Sequence, residues 1–187
     1  HGTSRRQRQM CIRDRIMVLV NEMKQRLFIR ERHQVITDIY HDLSINDAFM
    51  DEIKTVNWIN SYKTNVGAKM SDWNMKSDNV TKIYDWVLSL LHDTHKDLPR
   101  NLYELYEAWY AWYNEGDSTR CHDHKFVPWS FVYFIQSPEG SSSLYFPASN
   151  RSIKPDNGRV VIFPGNVEHY VPTNKCNDRI VLAGNIK

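Results

Sequence analysis

Residues 158–185 read GRVVIFPGNVEHYVPTNKCNDRIVLAGN. Two runs rich in β-branched and aromatic residues, Arg159–Phe163 and Arg179–Asn185, are separated by Pro164-Gly165 and Pro172. Short apolar runs bounded by Gly and Pro predict strands rather than helices. The same character extends upstream through Tyr103–Asn114, Phe131–Gln136 and Ser143–Phe146. The breaks between them hold Gly116, Pro138-Glu139-Gly140, Pro147 and Pro155-Asp156-Asn157-Gly158. Many short strands with frequent turns predict a sandwich, barrel or jelly roll over residues 102–187.

Ahead of residue 102 the period changes. Val80, Ile83, Tyr84, Val87, Leu90 and Leu91 recur at helical spacing and predict a helix over residues 79–97, with Pro99 marking a stop. A second helix is predicted from Ser44 or Asn46, since either side chain can cap an N-terminus. Asp47, Asp51 and Glu52 then fall early, where the helix dipole favours negative charge. Val35, Ile36, Ile39 and Tyr40 suit a strand or a short helix equally, and residues 68–78, with Trp73, predict an extended or looped connection. No domain boundary is visible, so flanking N-terminal helices on one sheet system are expected, an α+β class.

Composition narrows the function classes. The three cysteines, Cys11, Cys121 and Cys176, have no regular spacing and predict reduced thiols rather than a disulfide framework. No run of 18 apolar residues occurs, so no membrane span is expected, and the short Ile16–Val20 stretch does not suit a signal-peptide core. A cytoplasmic protein is the expectation. The net charge is +2, but five arginines and one aspartate in residues 1–15 give +4, which leaves −2 for the rest. The body therefore offers no electrostatic case for nucleic acid. Residues 1–16 read as a disordered or artefactual basic tail. The stretch SRRQRQMCIRDR, residues 4–15, resembles translated sequencing-adapter DNA, and the natural chain would begin near Met17. Residues 17–187 are expected to form a single domain.

The chemistry concentrates at Cys121-His122-Asp123-His124. In an extended segment His122 and His124 share one face and Asp123 takes the other. Two imidazoles at that spacing can share a metal ion. His169 follows the Pro164-Gly165 turn, where a loop can return a third ligand. Three protein ligands with open positions suit a catalytic metal, and imidazole fits Fe, Zn, Cu or Ni. Arg179 opens the final run. A guanidinium grips a carboxylate in a bidentate fork, so an Arg returning beside the metal can hold a dicarboxylate whose other end chelates it. Val181, Ala183 and Asn185 share its face and leave room for a small ligand. His92 and His95 lack a third ligand and read as surface or boundary residues.

These stretches resemble the 2-oxoglutarate/Fe(II) oxygenases common in marine phage genomes, related to prolyl 4-hydroxylase-like enzymes. The resemblance rests on Trp109, Gly116, His122-Asp123-His124, Trp129–Phe134, Leu144–Phe146, Gly158–Gly165, His169–Pro172 and Arg179–Asn185. It implies a double-stranded β-helix, a cupin-like jelly roll, in which His122 and His169 hold Fe(II) and Arg179 pairs with the distal carboxylate of 2-oxoglutarate. It also implies O2 as co-reactant, hydroxylation of a protein side chain such as proline or of a small molecule, and, for a phage protein, a host cytoplasm.

One departure bears on the ligand set. The wider superfamily has His-x-Asp…His, whereas here the second position is His124. Strand alternation favours His124 as third ligand; a local bulge would instead bring in Asp123, and a further reading makes His124 a residue that supports the ligands or touches substrate. Tyr133 and Asn185 are candidates to reach the cosubstrate, with ordinary strand packing the competing reading. Cys121 reads as a plain buried thiol. The alternatives in function are a cupin-type metalloenzyme that does not use 2-oxoglutarate and a non-catalytic jelly-roll binding module.

Overall fold

The computed structural model describes residues 32–59, 64–97, 99 and 101–187. The expectations for residues 1–16, for Met17 and for Cys11 lie outside the described residues. His33–Lys187 form one compact unit.

Short strands dominate, as the turn residues require. They are β1 (Ile36–Ile39), β2 (Val66–Gly67), β3 (Lys69–Met70), β4 (Leu105–Tyr113), β5 (Ser118–His122) and β6 (Trp129–Gln136). They continue with β7 (Leu144–Phe146), β8 (Arg151–Ile153), β9 (Arg159–Pro164), β10 (His169–Val171) and β11 (Arg179–Ile186). A six-stranded sheet has the order β1-β9-β6-β11-β4-β3, and a five-stranded sheet the order β2-β5-β10-β7-β8. All named pairings are antiparallel. Two antiparallel sheets closing on each other form the double-stranded β-helix, with helices on one flank.

Two apolar layers result. Between the sheets lie Ala111, Phe134, Phe146, Phe163, Val171 and Val181. On the outer face of the larger sheet, Tyr110, Phe131, Tyr133, Ile162, Ile180 and Leu182 pack against the helices. Alternate residues of one strand serve the two layers, so β4, β6, β9 and β11 are apolar on both faces. Gly184 in β11 makes room for this packing: a Cβ there would lie 2.4 Å from the Phe131 ring.

The helices are α1 (Ser44–Glu52), followed by a 3-10 turn at Ile53–Thr55, and α2 (Asp78–Thr94). They press Phe49, Ile53, Val80, Ile83, Val87 and Leu91 onto the larger sheet. Helix α2 ends three residues before the predicted Asp97, and Ser77 caps it, accepting from Val80 N–H at 3.1 Å. The predicted cap of α1 is corrected. Ser44 and Asn46 both lie inside the helix; Asp42 Oδ1 instead accepts from Ser44 N–H at 3.0 Å. Asn46 turns inward and accepts from the Tyr133 hydroxyl at 2.6 Å. The ambiguous Ile36–Ile39 segment is a strand because it pairs with β9 from Ile36↔Ile162 to Ile39↔Arg159. No described helix is long and apolar enough to cross a membrane.

Candidate metal centre

Strands β5 and β10 lie side by side, and His122 is directly opposite His169. Their ring centroids are 4.4 Å apart. The next register pair is Val171↔Thr119, so between the two pairs β5 carries two residues, Arg120 and Cys121, where β10 carries only Tyr170. This bulge turns both Thr119 and His122 toward the interior and leaves Arg120 and Cys121 exposed. The expected burial of Cys121 is corrected: it faces away from His122, but on a side of β5 that is exposed rather than covered. Cys121 and Cys176 are both free thiols.

His124 lies beyond the end of β5, so strand alternation alone does not place it. Its backbone N–H donates to Gly165 O at 2.6 Å, and Gly165 N–H donates to Pro128 O at 3.0 Å. A Cβ on Gly165 would meet Val127 O at 2.1 Å and His124 O at 2.7 Å, so only glycine lets this loop lie against the turn. The ligand atoms of His122, His124 and His169 all fall within 4.8 Å of one another. Asp123 is outside this group; its carboxylate lies 3.8 Å from Lys125 Nζ. The structure thus brings together His124, and not Asp123, with the other two.

The rings are presented for coordination. His122 Nδ1 lies 2.8 Å from Arg120 O, and His169 Nδ1 lies 3.0 Å from Val167 O. A carbonyl only accepts, so each Nδ1 carries the proton and each Nε2 keeps its lone pair. Burial holds His169 down to about 3, with the neighbouring His122 adding to the shift. It holds His124 down to about 4, again with help from His122, and it lowers His122 too. Three neutral imidazoles converging in a semi-buried site form a competent donor set for a transition metal.

A narrow cavity of about 50 Å³ is lined by all three histidines, by Tyr113 and Thr119, and by Arg179. Arg179 is 1% exposed and lies over the Tyr113 ring at 4.5 Å and the Phe134 ring at 5.4 Å. Its Nε and Nη1 are buried without a hydrogen-bond partner. Val181, Ala183 and Asn185 line the same cavity, as their shared face with Arg179 requires. The Asn185 side chain is engaged on both ends: its Oδ1 accepts from Ser130 Oγ at 2.9 Å and its Nδ2 donates to Glu107 at 3.0 Å.

Tyr133 is corrected. It faces the helices, is fully buried there, and spends its hydroxyl on Asn46. On the other face, Tyr113 lines the cavity, with its hydroxyl 2.7 Å from Thr119 Oγ1. Sequence reading missed Tyr113 and Thr119 as cavity residues. Tyr113 is brought to the cavity by the β4–β11 pairing, which sets it opposite Arg179, a long-range register that the sequence alone does not show.

No protein-family model matches the sequence, and no curated protein matches it. Solved structures do match. The viral collagen prolyl hydroxylase of Paramecium bursaria Chlorella virus 1, in its 2-oxoglutarate complex, superposes with a TM-score of 0.66 at 16% identity, covering 83% of this chain and 96% of that one. A Pseudomonas putida prolyl-4-hydroxylase gives 0.63 at 17% identity, over 83% and 92% of the two chains. An oxidoreductase of the 2-oxoglutarate/Fe(II) oxygenase family from Burkholderia pseudomallei gives 0.61 at 14%, over 82% and 84%. Identities this low speak for architecture alone. The described chain has the double-stranded β-helix fold that these oxygenases share.

Proposed function

We propose that this chain is a non-haem Fe(II) and 2-oxoglutarate-dependent dioxygenase that hydroxylates a protein side chain or a small molecule, releasing succinate and carbon dioxide. The observation that carries the reading is Arg179, a buried guanidinium with two unpartnered nitrogens in the same cavity as three converging imidazoles. Burying an unpaired charge costs on the order of several kcal/mol. A cavity that keeps such a group is built for an anion that is not part of the chain.

The residues fit the proposed cofactor set. 2-Oxoglutarate has a carboxylate at each end, and the cavity has metal-ligating groups and a guanidinium among its walls. When bound, iron with 2-oxoglutarate and dioxygen supplies the oxidising chemistry. The chain's own groups do the rest. The carbonyls of Arg120 and Val167 fix the ring orientations of His122 and His169. Arg179 would hold the far carboxylate by charge-assisted hydrogen bonds, and the Tyr113 and Thr119 hydroxyls line the same cavity. Leu144, Phe163, Val171 and Val181 form an apolar wall that limits water.

A second reading draws on one observation, the histidine in place of a carboxylate. Three imidazoles also suit a cupin-type metalloenzyme that does not use 2-oxoglutarate. The assay separates the two. The full chain, supplied with Fe(II), reductant and air, is expected to form succinate from 2-oxoglutarate slowly, even without its prime substrate. Bound metal with no succinate above a metal-free control favours the cupin-type reading. Absence of stoichiometric metal binding contradicts both.

A further inference from the structure

A groove of about 420 Å³ adjoins the narrow cavity, sharing His122, His124, Trp109 and Asn185 with it but not Arg179. An aromatic series leads into it from solvent. Trp73, 41% exposed, has its ring 4.7 Å from that of Trp109, and Trp109 stacks on His124 at 6.2 Å with only 19° between planes. Two carboxylates, Glu107 and Asp123, line the same groove. Among the described residues, no lysine or arginine lines it. Glu107 is held in place by the Asn185 amide at 3.0 Å. Asp123 is 3.8 Å from Lys125; the lysine side chain is 71% exposed and that of Asp123 20%, so the ammonium stands mostly in solvent, where screening weakens the pair.

We propose that this groove receives the substrate, and that the substrate presents a cationic nitrogen there, an ammonium such as a lysyl side chain carries. The inference rests on the dioxygenase reading, because it places the oxidised group beside the candidate metal centre. An indole face attracts an ammonium through its quadrupole. Two carboxylates on the same wall complement that charge and disfavour an anionic substrate at the same position. The combination of an exposed indole and a negative wall selects charge as well as shape.

The test reads binding apart from turnover. The full chain is loaded with Zn(II), which supports no oxidation, and titrated with Nα-acetyl-lysine methylamide. The norleucine and glutamate counterparts serve as neutral and acidic controls. The indole N–H resonance of Trp73 is followed, assigned by its loss in Trp73→Phe. The lysine compound is expected to give a saturable shift with a dissociation constant about fivefold below that of the norleucine compound, the scale of a cation–π contact joined to an exposed ion pair. Glu107→Gln, which keeps the shape and the Asn185 contact, is expected to remove most of that preference. Equal binding of the three compounds, preference for the acidic one, no saturable shift, or a preference unchanged in Glu107→Gln overturns the inference. Succinate formation by the Fe(II)-loaded chain is measured in parallel. Its absence with the lysine preference intact counts against the dioxygenase reading and not against the groove.

Discussion

On strand β11, Ile180, Leu182 and Ile186 turn toward the helices, whereas Arg179, Val181, Ala183 and Asn185 turn toward the five-stranded sheet. The helix-side face is closed. Its two fully buried tyrosine hydroxyls are paired: Tyr110 donates to Glu52 and Tyr133 to Asn46, both at 2.6 Å. The opposite face keeps a guanidinium with unpartnered nitrogens and shares a cavity with three imidazoles, from β5, β10 and the loop after β5, whose protonation burial disfavours. One sheet therefore carries stability on one face and unsatisfied binding capacity on the other. The contrast predicts that equally buried residues on the two faces respond in opposite ways to substitution.

The largest expected effect is on the closed face. Phe49→Ala removes a fully buried ring packed near Tyr110 and Tyr133. It should cost about 3–5 kcal/mol in chemical denaturation while metal stoichiometry stays unchanged. Arg179→Met should do the reverse. Replacing a buried, unpaired charge by an apolar side chain of similar length should leave the ligand-free chain as stable as before, or more stable by about 1–4 kcal/mol. A loss of stability comparable to that of Phe49→Ala would make Arg179 an ordinary core residue and erase the contrast.

A paired tyrosine comparison sharpens it. Tyr133→Phe leaves Asn46 Oδ1 unpartnered and should cost about 1–3 kcal/mol, with the 2-oxoglutarate requirement unchanged. Tyr113→Phe should raise that requirement. Interchanged phenotypes would reverse the assignment of the two faces.

The smallest expected effect is on pH dependence. The folded chain lowers the pKa values of His122, His124 and His169, while the unfolded chain binds those protons near 6.5. Between about 6.5 and 4 the unfolded state therefore holds more protons, and the metal-free fold loses stability as pH falls. Above 6.5 these groups contribute no slope. His169→Gln should flatten the fall in Tm between pH 7 and pH 5; an unchanged slope would place the titration elsewhere.

Much of this was legible from local pattern. The runs Arg159–Phe163 and Arg179–Asn185 became β9 and β11 with nearly the same bounds, and the apolar period of residues 80–91 marks the buried side of α2. The short strands β2, β3, β8 and β10 were not anticipated, because two or three residues carry too little periodicity to read. The site was legible as residue types at a spacing, but its geometry depended on long-range pairing. The bulge opposite β10 sets the phase of His122, and the Gly165 contact places His124. Tyr133 was misassigned because the phase of β6 is fixed by its partners β9 and β11. Cys121 does face away from His122, but whether another element covers that side of β5 is a long-range fact that the local pattern does not carry.

The central claim is that Arg179 and the three histidines together hold 2-oxoglutarate. Its most direct test is anaerobic calorimetric titration of 2-oxoglutarate into the Fe(II)-loaded chain and into the Arg179→Met variant. The account predicts one equivalent bound by the parent chain. It predicts at least about thirtyfold weaker binding by the variant, the scale of removing one partner from a buried charge pair, with one metal still bound. Equal affinity in the two proteins, or no binding to the loaded parent chain, would contradict it.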